Sequence, residues 1–402
     1  MTRCNLCASD TVEPVIDFGS HPIAHHFLER PDGDEYRHPV LLGFCAECGL
    51  TQLIDPVPPE RLYSDYHWFS SWKRNPHVER IFALLEEATG LANDARVLEV
   101  GSNDGSFLLE LRERGYSQLL GLEPAEDARS EAERHGIDTL SGYFTPTVAR
   151  SIAESFGRCD LLVVRQVLEH VPSLDGFADA MHEVLKRGAH VLVEVPDFGF
   201  NQRAPDYSAI WEEHVNHFTS ETLTRFLAGA GVLVEECETA VFSGQILIAI
   251  GRYVGDSVIP DDDGTLAALR AASSDFGDRW PMFRKSLREY LDRHRSAGRR
   301  VAIYGAGCRS TTLINFSGID EYVECVLDDQ LEKQGKYMPG SRLPILSGER
   351  LASSAFDTCL LAVNAENEDA IIERHRAFVE RGGTFVSIHP PSPRLPEFWT
   401  KS

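Results

Sequence analysis

The sequence predicts an α/β protein built in three parts, and three observations carry that prediction. Two Cys-x-x-Cys pairs stand within the first fifty residues. Short apolar runs alternate with amphipathic helices from about residue 95 to 255. A second alternation of the same kind opens at RRVAIYGAG, residues 299–307. At 402 residues the chain is long enough for two or three domains. We set the expected boundaries at 1–72, 73–255 and 256–402.

The first part is rich in Cys, His, Pro and aromatics and shows no long periodic segment. Its cysteines form two knuckles, Cys4-Asn-Leu-Cys7 and Cys45-Ala-Glu-Cys48, each able to turn two thiolates toward one point. That spacing predicts a closed, structural zinc site with Cys4, Cys7, Cys45 and Cys48 as ligands. A segment with little core of its own also needs such a staple. The competing reading is four unrelated thiols in a reducing cell, which the paired spacing at both ends disfavours. His21, His25 and His26 add nothing to the cysteine spacing and read as loop or surface residues.

In the second part, RVLEVG (96–101) reads as a strand and SFLLELRERG as a helix ending on Gly115. QLLGLEP is the next strand, followed by a helix through AEDARSEAERHG. DLLVVRQV, a helix around GFADAMHEVLKRG, and AHVLVEVP continue the series. This βαβα rhythm predicts a mostly parallel sheet covered by helices on both faces. VLVEECETAV and GQILIAIGRYV are suited to an antiparallel end of that sheet. An acidic loop rich in Pro and Gly (DSVIPDDDG, 256–264), a long helical stretch to about 297, and a second α/β unit to about 390 complete the chain. The tail HPPSPRLPEF cannot continue helix or sheet.

Two glycine turns follow strands. The first, Glu99-Val-Gly101-Ser-Asn103-Asp104-Gly105, lets backbone approach a ligand at a helix N-terminus. Glu123 ends the following strand, where an acid can take both hydroxyls of a ribose, so a nucleotide of some kind is expected at the carboxyl ends of the strands. The spacing is not Gly-x-Gly-x-x-Gly, which weighs against NAD. The second turn, Gly305-Ala-Gly307-Cys-Arg-Ser310, has Asp328 and Asp329 a little over twenty residues on. It comes closer to a dinucleotide fingerprint and supports an oxidoreductase as the alternative.

Two polar clusters interrupt the apolar pattern: VRQVLEHVP (164–172) and WEEHVNH (211–217). Each follows a predicted parallel strand at its carboxyl end, which puts His170 and the Glu213–His214 pair on one rim. Glu212 reads as a solvated charge. A net charge of −23 argues against a nucleic-acid partner. No run of 18 apolar residues predicts a membrane span, and MTRCNLC has no apolar signal segment, so a cytoplasmic protein is expected.

Taken together, the four cysteines, LEVGSNDG, LEHVP, EEHVNHF and GAGCRSTTLINF…KQGKYMPGSRLPI resemble the three-part C-methyltransferases of nucleotide-linked deoxysugars, which depend on S-adenosylmethionine (SAM). The resemblance spans nearly the whole chain. It implies a zinc-binding N-terminal module, a central class I methyltransferase (Rossmann-like) domain, and a C-terminal Rossmann-like domain that encloses the sugar nucleotide. It also implies methyl transfer to the carbon next to the ketone of a dTDP-4-keto-6-deoxysugar, usually C3, in secondary-metabolite glycosylation.

Carried over by position, Glu99, Gly101, Asn103, Asp104, Gly105 and Glu123 hold SAM, with Gln166 near its methionine or adenosine part. Lys333, Lys336, Tyr337 and Arg342 are expected phosphate or base contacts, while Asn315 and Arg309 have no more than a pocket-lining role. Where the family carries tyrosines that act at the sugar, this chain has Trp211, and it reads Tyr66-His67-Trp68 in place of Tyr-Pro-Tyr. Trp68 and Trp211 are therefore expected at the substrate, and they leave O-, N- or other carbon acceptors open.

A sulfonium methyl needs a carbon nucleophile, which a base creates next to a ketone. His214 is the expected base, oriented by Glu213, with His170 hydrogen-bonding the enolate or a sugar hydroxyl and Tyr66 in support. The expected partner is a small nucleotide-linked sugar, and the oligomeric state is not legible, a monomer being compatible.

Overall fold

The computed structural model describes residues 2–62, 76–257, 264–353 and 356–400. Tyr66 and Trp68 lie outside the described residues. Three sheets organise the rest. In the first, β1 (Val12–Pro22) pairs antiparallel with β2 (Arg37–Cys45), and β2 with β3 (Thr51–Ile54). The sequence shows no clean alternation here because β1 is irregular, with register shifts between Pro14 and Ile16 and between Asp17 and Ser20. Its apolar residues also face a core supplied from far along the chain. Phe18 stacks on Phe316 at 4.1 Å and meets the edge of Trp280 at 5.2 Å, residues of two C-terminal helices, Cys308–Ser317 and Thr265–Ser296.

The second sheet collects β4 (Arg96–Val100), β5 (Gln118–Leu122), β6 (Thr139–Leu140), β7 (Cys159–Arg165) and β8 (Leu185–Pro196). The next strand, β9 (Asn216–His217), leaves this sheet and pairs antiparallel with β3, so the first sheet takes its fourth strand from the middle of the chain. β10 (Val232–Val241) and β11 (Gln245–Tyr253) return to the second sheet, whose order is β10-β11-β8-β7-β4-β5-β6. β4 to β8 run parallel, and β11 and β10 form the expected antiparallel end. The chain winds outward in both directions from the boundary of β4 and β7, which opens a crevice at their carboxyl ends.

One helix is shorter than the sequence suggests. It spans Leu174–Val184, and β8 begins at Leu185, where the expectation ran the helix through Gly188. Leu185 is drawn into the ladder by Cys159, across a bulge. Both residues are fully buried, and burial outweighs the helical propensity of the LKR stretch.

The third sheet is wholly parallel: β12 (Val301–Tyr304), β13 (Val326–Asp328), β14 (Ile345–Ser347), β15 (Thr358–Leu361) and β16 (Thr384–Ser387), in the order β14-β13-β12-β15-β16. The Pro-rich tail joins neither sheet nor α-helix, yet it is part of the core. Trp399 is buried, packs edge-on to Phe283 at 4.7 Å and donates its Nε1–H to the Ala204 carbonyl at 2.8 Å. Arg309, on the helix after β12, pairs with the buried Asp206 carboxylate at 2.6 Å and does not line the cleft described below. Among the described residues no helix is long and apolar enough to cross a membrane.

Trp399 ties the tail to both the 265–296 helix and the backbone of residue 204. Trp399→Ala should therefore lower stability by about 3–5 kcal/mol, read as a drop in the midpoint of urea unfolding.

Candidate active site

The four cysteines converge. Their sulfurs lie within 4.8 Å of one another, with Cys4–Cys48 and Cys7–Cys45 at 3.5 Å. Zinc–sulfur bonds of about 2.3 Å in a tetrahedron place sulfurs roughly 3.8 Å apart, so the set fits zinc without rearrangement. The sulfurs sit close enough to hydrogen-bond one another, so a proton is shared within the cluster, lowering the Cys45 thiol and raising Cys4 and Cys48. With four sulfurs and no open position, the site suits a structural ion.

A cleft of about 2160 Å³ opens at the carboxyl ends of β4 and β7. The turn after β4 lines it with Glu99, Gly101, Asn103 and Asp104, and Glu123 and Gln166 join them. Gly101 has φ 67°, and a Cβ there would stand 2.5 Å from Val167 Cγ2, so only glycine fits. Gly105, also left-handed, does not line the cleft; it starts the helix Ser106–Glu113 and closes against Ala132 and Ile137. Asp104 Oδ1 accepts from the Ser106 amide at 3.1 Å, fixing that helix start.

Glu123 braces the same turn: Oε2 accepts from Asn103 N at 3.0 Å and Oε1 from Ala125 N at 2.8 Å. Burial pushes its carboxyl up, against these bonds. Ser102 Oγ and Asn103 Oδ1 are buried without a hydrogen-bond partner. A glycine cradle, an acid at the end of the second strand and orphaned polar atoms together fit a nucleoside-bearing cofactor.

Below the turn lies a charge network that sequence reasoning missed. Glu194, fully buried on β8, accepts from Arg165 Nε at 3.1 Å and Gln166 Nε2 at 2.9 Å, and lies 3.6 Å from His77 Nε2. Burial alone would raise its carboxyl; Arg165 and His77 outweigh it and hold the group at about 2. Glu99, 3.9 Å from the same guanidinium, lacks comparable partners, and burial pushes it up to about 8. The network fixes Gln166, whose φ of 53° is unusual for a non-glycine residue.

The two polar clusters do meet, though not in the expected pairing. His170 lines the cleft, and its Nδ1–H donates to the Glu213 carbonyl at 2.9 Å. A carbonyl can only accept, so neutral His170 carries its lone pair on Nε2. It is thereby an acceptor, which suits the expected hydrogen bond to a sugar hydroxyl and not, while the ring is neutral, one to an enolate. Burial lowers its pKa against the pull of Glu213. The Glu213 carboxylate does not orient His214; it pairs with His25 Nδ1 at 2.7 Å. His214 packs its ring edge-to-face on His170 at 4.8 Å and against Trp211 at 3.8 Å, and neither His214 nor Trp211 is among the lining residues. Trp211 thus stands against His214, behind the cleft-lining His170. Burial, then the neighbouring His170, lowers His214 well below the ordinary imidazole range.

Two further readings are corrected. His25 and His26 are loop residues, as expected, but half-buried ones that line the cleft, which the sequence did not suggest. Burial would lower the His25 pKa, yet Glu213 and Glu212 raise it above the usual value. Glu212 is not a solvated charge: it is 4 % exposed and accepts from the Ala24 amide at 2.6 Å. Both corrections have one cause. The loop 22–28 of the first sheet folds over the segment 211–217, a juxtaposition that no local pattern announces. Glu169, also unassigned from sequence, has both carboxylate oxygens buried without partners, and burial pushes it up to about 8.

Lys333 and Lys336 line the cleft, with Lys333 Nζ donating to the Ala306 carbonyl at 2.7 Å and Lys336 Nζ 3.0 Å from Glu29. Tyr337 and Arg342 do not line it, which corrects their expected place at the phosphate. Tyr337 exchanges backbone hydrogen bonds with Leu28, and Arg342 pairs with Glu35 at 3.1 Å. In the second glycine turn only Gly305 is committed to packing, since a Cβ there would stand 2.5 Å from the Ala362 carbonyl oxygen; Ala306, Gly307 and Cys308 line the cleft. The Asp328 oxygens accept from Ala306 N and Gln330 N, each at 2.8 Å, and so are engaged by the protein's own amides.

Comparison with known proteins agrees with this geometry. Family models match three segments: "Putative zinc binding domain" at residues 4–63, "Methyltransferase domain" at 72–236 and "C-methyltransferase C-terminal domain" at 266–390. The C-methyltransferase NovU of Streptomyces niveus is 30% identical, covering 98% of this chain and 96% of NovU. The ubiquinone biosynthesis O-methyltransferase of Serratia proteamaculans is 32% identical over 28% of this chain and 47% of its own length. Among solved structures, a SAM-dependent methyltransferase of Mesorhizobium loti aligns at 17% identity and a TM-score of 0.33, over 43% of this chain and 96% of its own. Magnesium protoporphyrin IX methyltransferase of Synechocystis, solved with SAM, aligns at 14% and 0.34, over 48% and 88%.

The protein is a SAM-dependent methyltransferase of class I fold with an N-terminal zinc-binding domain. More narrowly, the chain belongs to the C-methyltransferase family that includes NovU. The oxidoreductase alternative is thereby set aside.

Two measurements check the site. Gly101→Ala should weaken SAM binding at least tenfold in calorimetry, because its Cβ meets Val167. Purified protein should carry one zinc per chain by elemental analysis, and Cys45→Ser should lose it.

Proposed function

We propose that the protein methylates the carbon next to the ketone of a nucleotide-linked 4-keto-6-deoxysugar, C3 of a dTDP sugar in the first instance, with His170 as the base. The observation that carries this reading is the His170 tautomer: Nδ1–H spent on the Glu213 carbonyl, Nε2 left as acceptor, and the ring on the wall of the cleft that the Gly101 turn also lines. The C-methyltransferase NovU, similar over nearly the whole chain, supports transfer to carbon, and the likeness of LEHVP and EEHVNHF to the deoxysugar enzymes supports the acceptor class.

The Gly101–Gly105 turn, Glu123 and Gln166 would hold SAM, which when bound supplies an electrophilic methyl on a sulfonium. His170 Nε2 removes the proton next to the ketone. His25, whose pKa Glu213 and Glu212 raise, would put positive charge, when protonated, on the wall of the cleft where the enolate charge develops. Lys333 and Lys336 favour a diphosphate on the C-terminal side. His214 buttresses the His170 ring.

The test is deuterium uptake by the ketosugar in D2O without SAM, and methyl mass gain with it. His170→Ala should slow exchange by about 10²–10⁴-fold, the usual worth of a general base, and His214→Ala by less. Normal exchange by His170→Ala with none by His214→Ala would return the base to His214, the residue the family motif favours. No exchange and no methyl gain by the wild type would move the acceptor elsewhere.

The base must be neutral, and burial depresses His170 below 6.5. The acid limb of kcat/KM should therefore lie below pH 6.5, with a plateau through neutrality.

A further inference from the structure

We infer that Asn216 is a positioning residue, through which the zinc-bearing module holds the His170 loop in register for proton abstraction. This inference rests on the assignment of His170 made above. Asn216 is 1 % exposed, and its side-chain amide is engaged on both sides. Nδ2 donates to the carbonyls of Leu168 at 2.9 Å and Val171 at 2.7 Å, the two residues that bracket Glu169 and His170. Oδ1 accepts from Asn5 Nδ2 at 2.9 Å. Turned over, the amide would set its oxygen against two carbonyls, so the orientation is fixed.

Asn5 lies inside the first cysteine knuckle, between Cys4 and Cys7. Its backbone N–H donates to Gln52 Oε1 at 2.8 Å, and Gln52 is the ladder partner of Asn216 across β3 and β9. A continuous set of hydrogen bonds thus runs from the metal knuckle through Asn216 to both ends of the His170 turn. Three residues further back on the same segment, the Glu213 carbonyl holds the ring itself.

The turn needs such a hold. Leu168–His170 is a three-residue 3-10 turn without a side-chain cap, and it follows Gln166 in a left-handed conformation. A short uncapped turn after a strained residue keeps its shape only when neighbours impose it. Asparagine is suited to the task because it offers two donors on one side and an acceptor on the other. Aspartate, of the same shape, would aim a carboxylate at two carbonyls.

The test uses the full-length, zinc-loaded protein with Asn216→Asp and Asn5→Ala, measured for zinc content, SAM affinity, kcat and KM on the ketosugar, and the ¹⁵N-imidazole signals of His170. Asn216→Asp should keep its zinc and its SAM affinity, shift the His170 signals, and lower kcat by on the order of 10², the scale of a misplacement near 1 Å. Asn5→Ala should change the same quantities in the same direction by less. A folded, zinc-loaded Asn216→Asp protein with unmoved His170 signals or wild-type kcat would overturn the inference. Should Asn216→Asp fail to fold, Asn5→Ala decides alone, and no change in it overturns the inference. If the wild type leaves the ketosugar untouched, the substrate assignment fails, and the His170 signals still decide the role of Asn216.

Discussion

Two residue pairs, Thr51 with His217 and Gln52 with Asn216, hold the architecture of the site together. By this short ladder the segment that carries Glu213 and His214 leaves the central sheet and becomes the edge of the N-terminal one. The Leu53 amide extends the contact by donating to the Val215 carbonyl at 2.9 Å. Everything the cleft presents on that side follows from it. Glu212 is anchored on Ala24, Glu213 on His25, and His170 on the Glu213 carbonyl. The zinc-binding module is thus a wall of the cleft as well as a separately stapled unit, and Asn5 and Gln52 tie it to Asn216 beside the His170 turn.

The opposite wall is set by buried charge. Glu194 stays ionised in the interior because Arg165, Gln166 and His77 surround it. Removing one partner from such a group strands the others without water and typically costs 3–5 kcal/mol. That rigidity holds Gln166 in its left-handed conformation and the Gly101 turn against β7, so the cofactor side is organised from below and the substrate side from the N-terminal module. The chain carries −23 overall, yet His25, Lys333 and Lys336 all line the cleft, each beside an acid: Glu213, Asp328 and Glu29 in turn.

The sequence made the architecture legible where physics is local. Glycine turns after strands, alternating apolar runs and Cys-x-x-Cys knuckles each have a short-range cause, and they led to the parallel sheets, the Gly101 cradle and the four-sulfur cluster. The errors fall where the cause is a long-range contact. His25 and Glu212 look like surface residues until 22–28 folds over 211–217, 188 positions apart at the Ala24–Glu212 bond. The Glu213–His214 pairing looked natural from adjacency, but neighbours in an irregular segment point apart, and Glu213 found its partner on another module. Arg342 has the right chemistry for phosphate but is spent on Glu35, and the backbone of Tyr337 is held by Leu28 away from the cleft lining. Glu169 left no readable signal, since nothing local distinguishes a buried unpaired carboxyl from an exposed one.

The most direct test is a crystal structure of the protein with S-adenosylhomocysteine and a dTDP-4-keto-6-deoxysugar. The account predicts the sugar carbon next to the ketone within reach of His170 Nε2, with the His170 Nδ1 bond to the Glu213 carbonyl intact. His214 or Tyr66 facing that carbon, with His170 turned from it, would contradict the assignment.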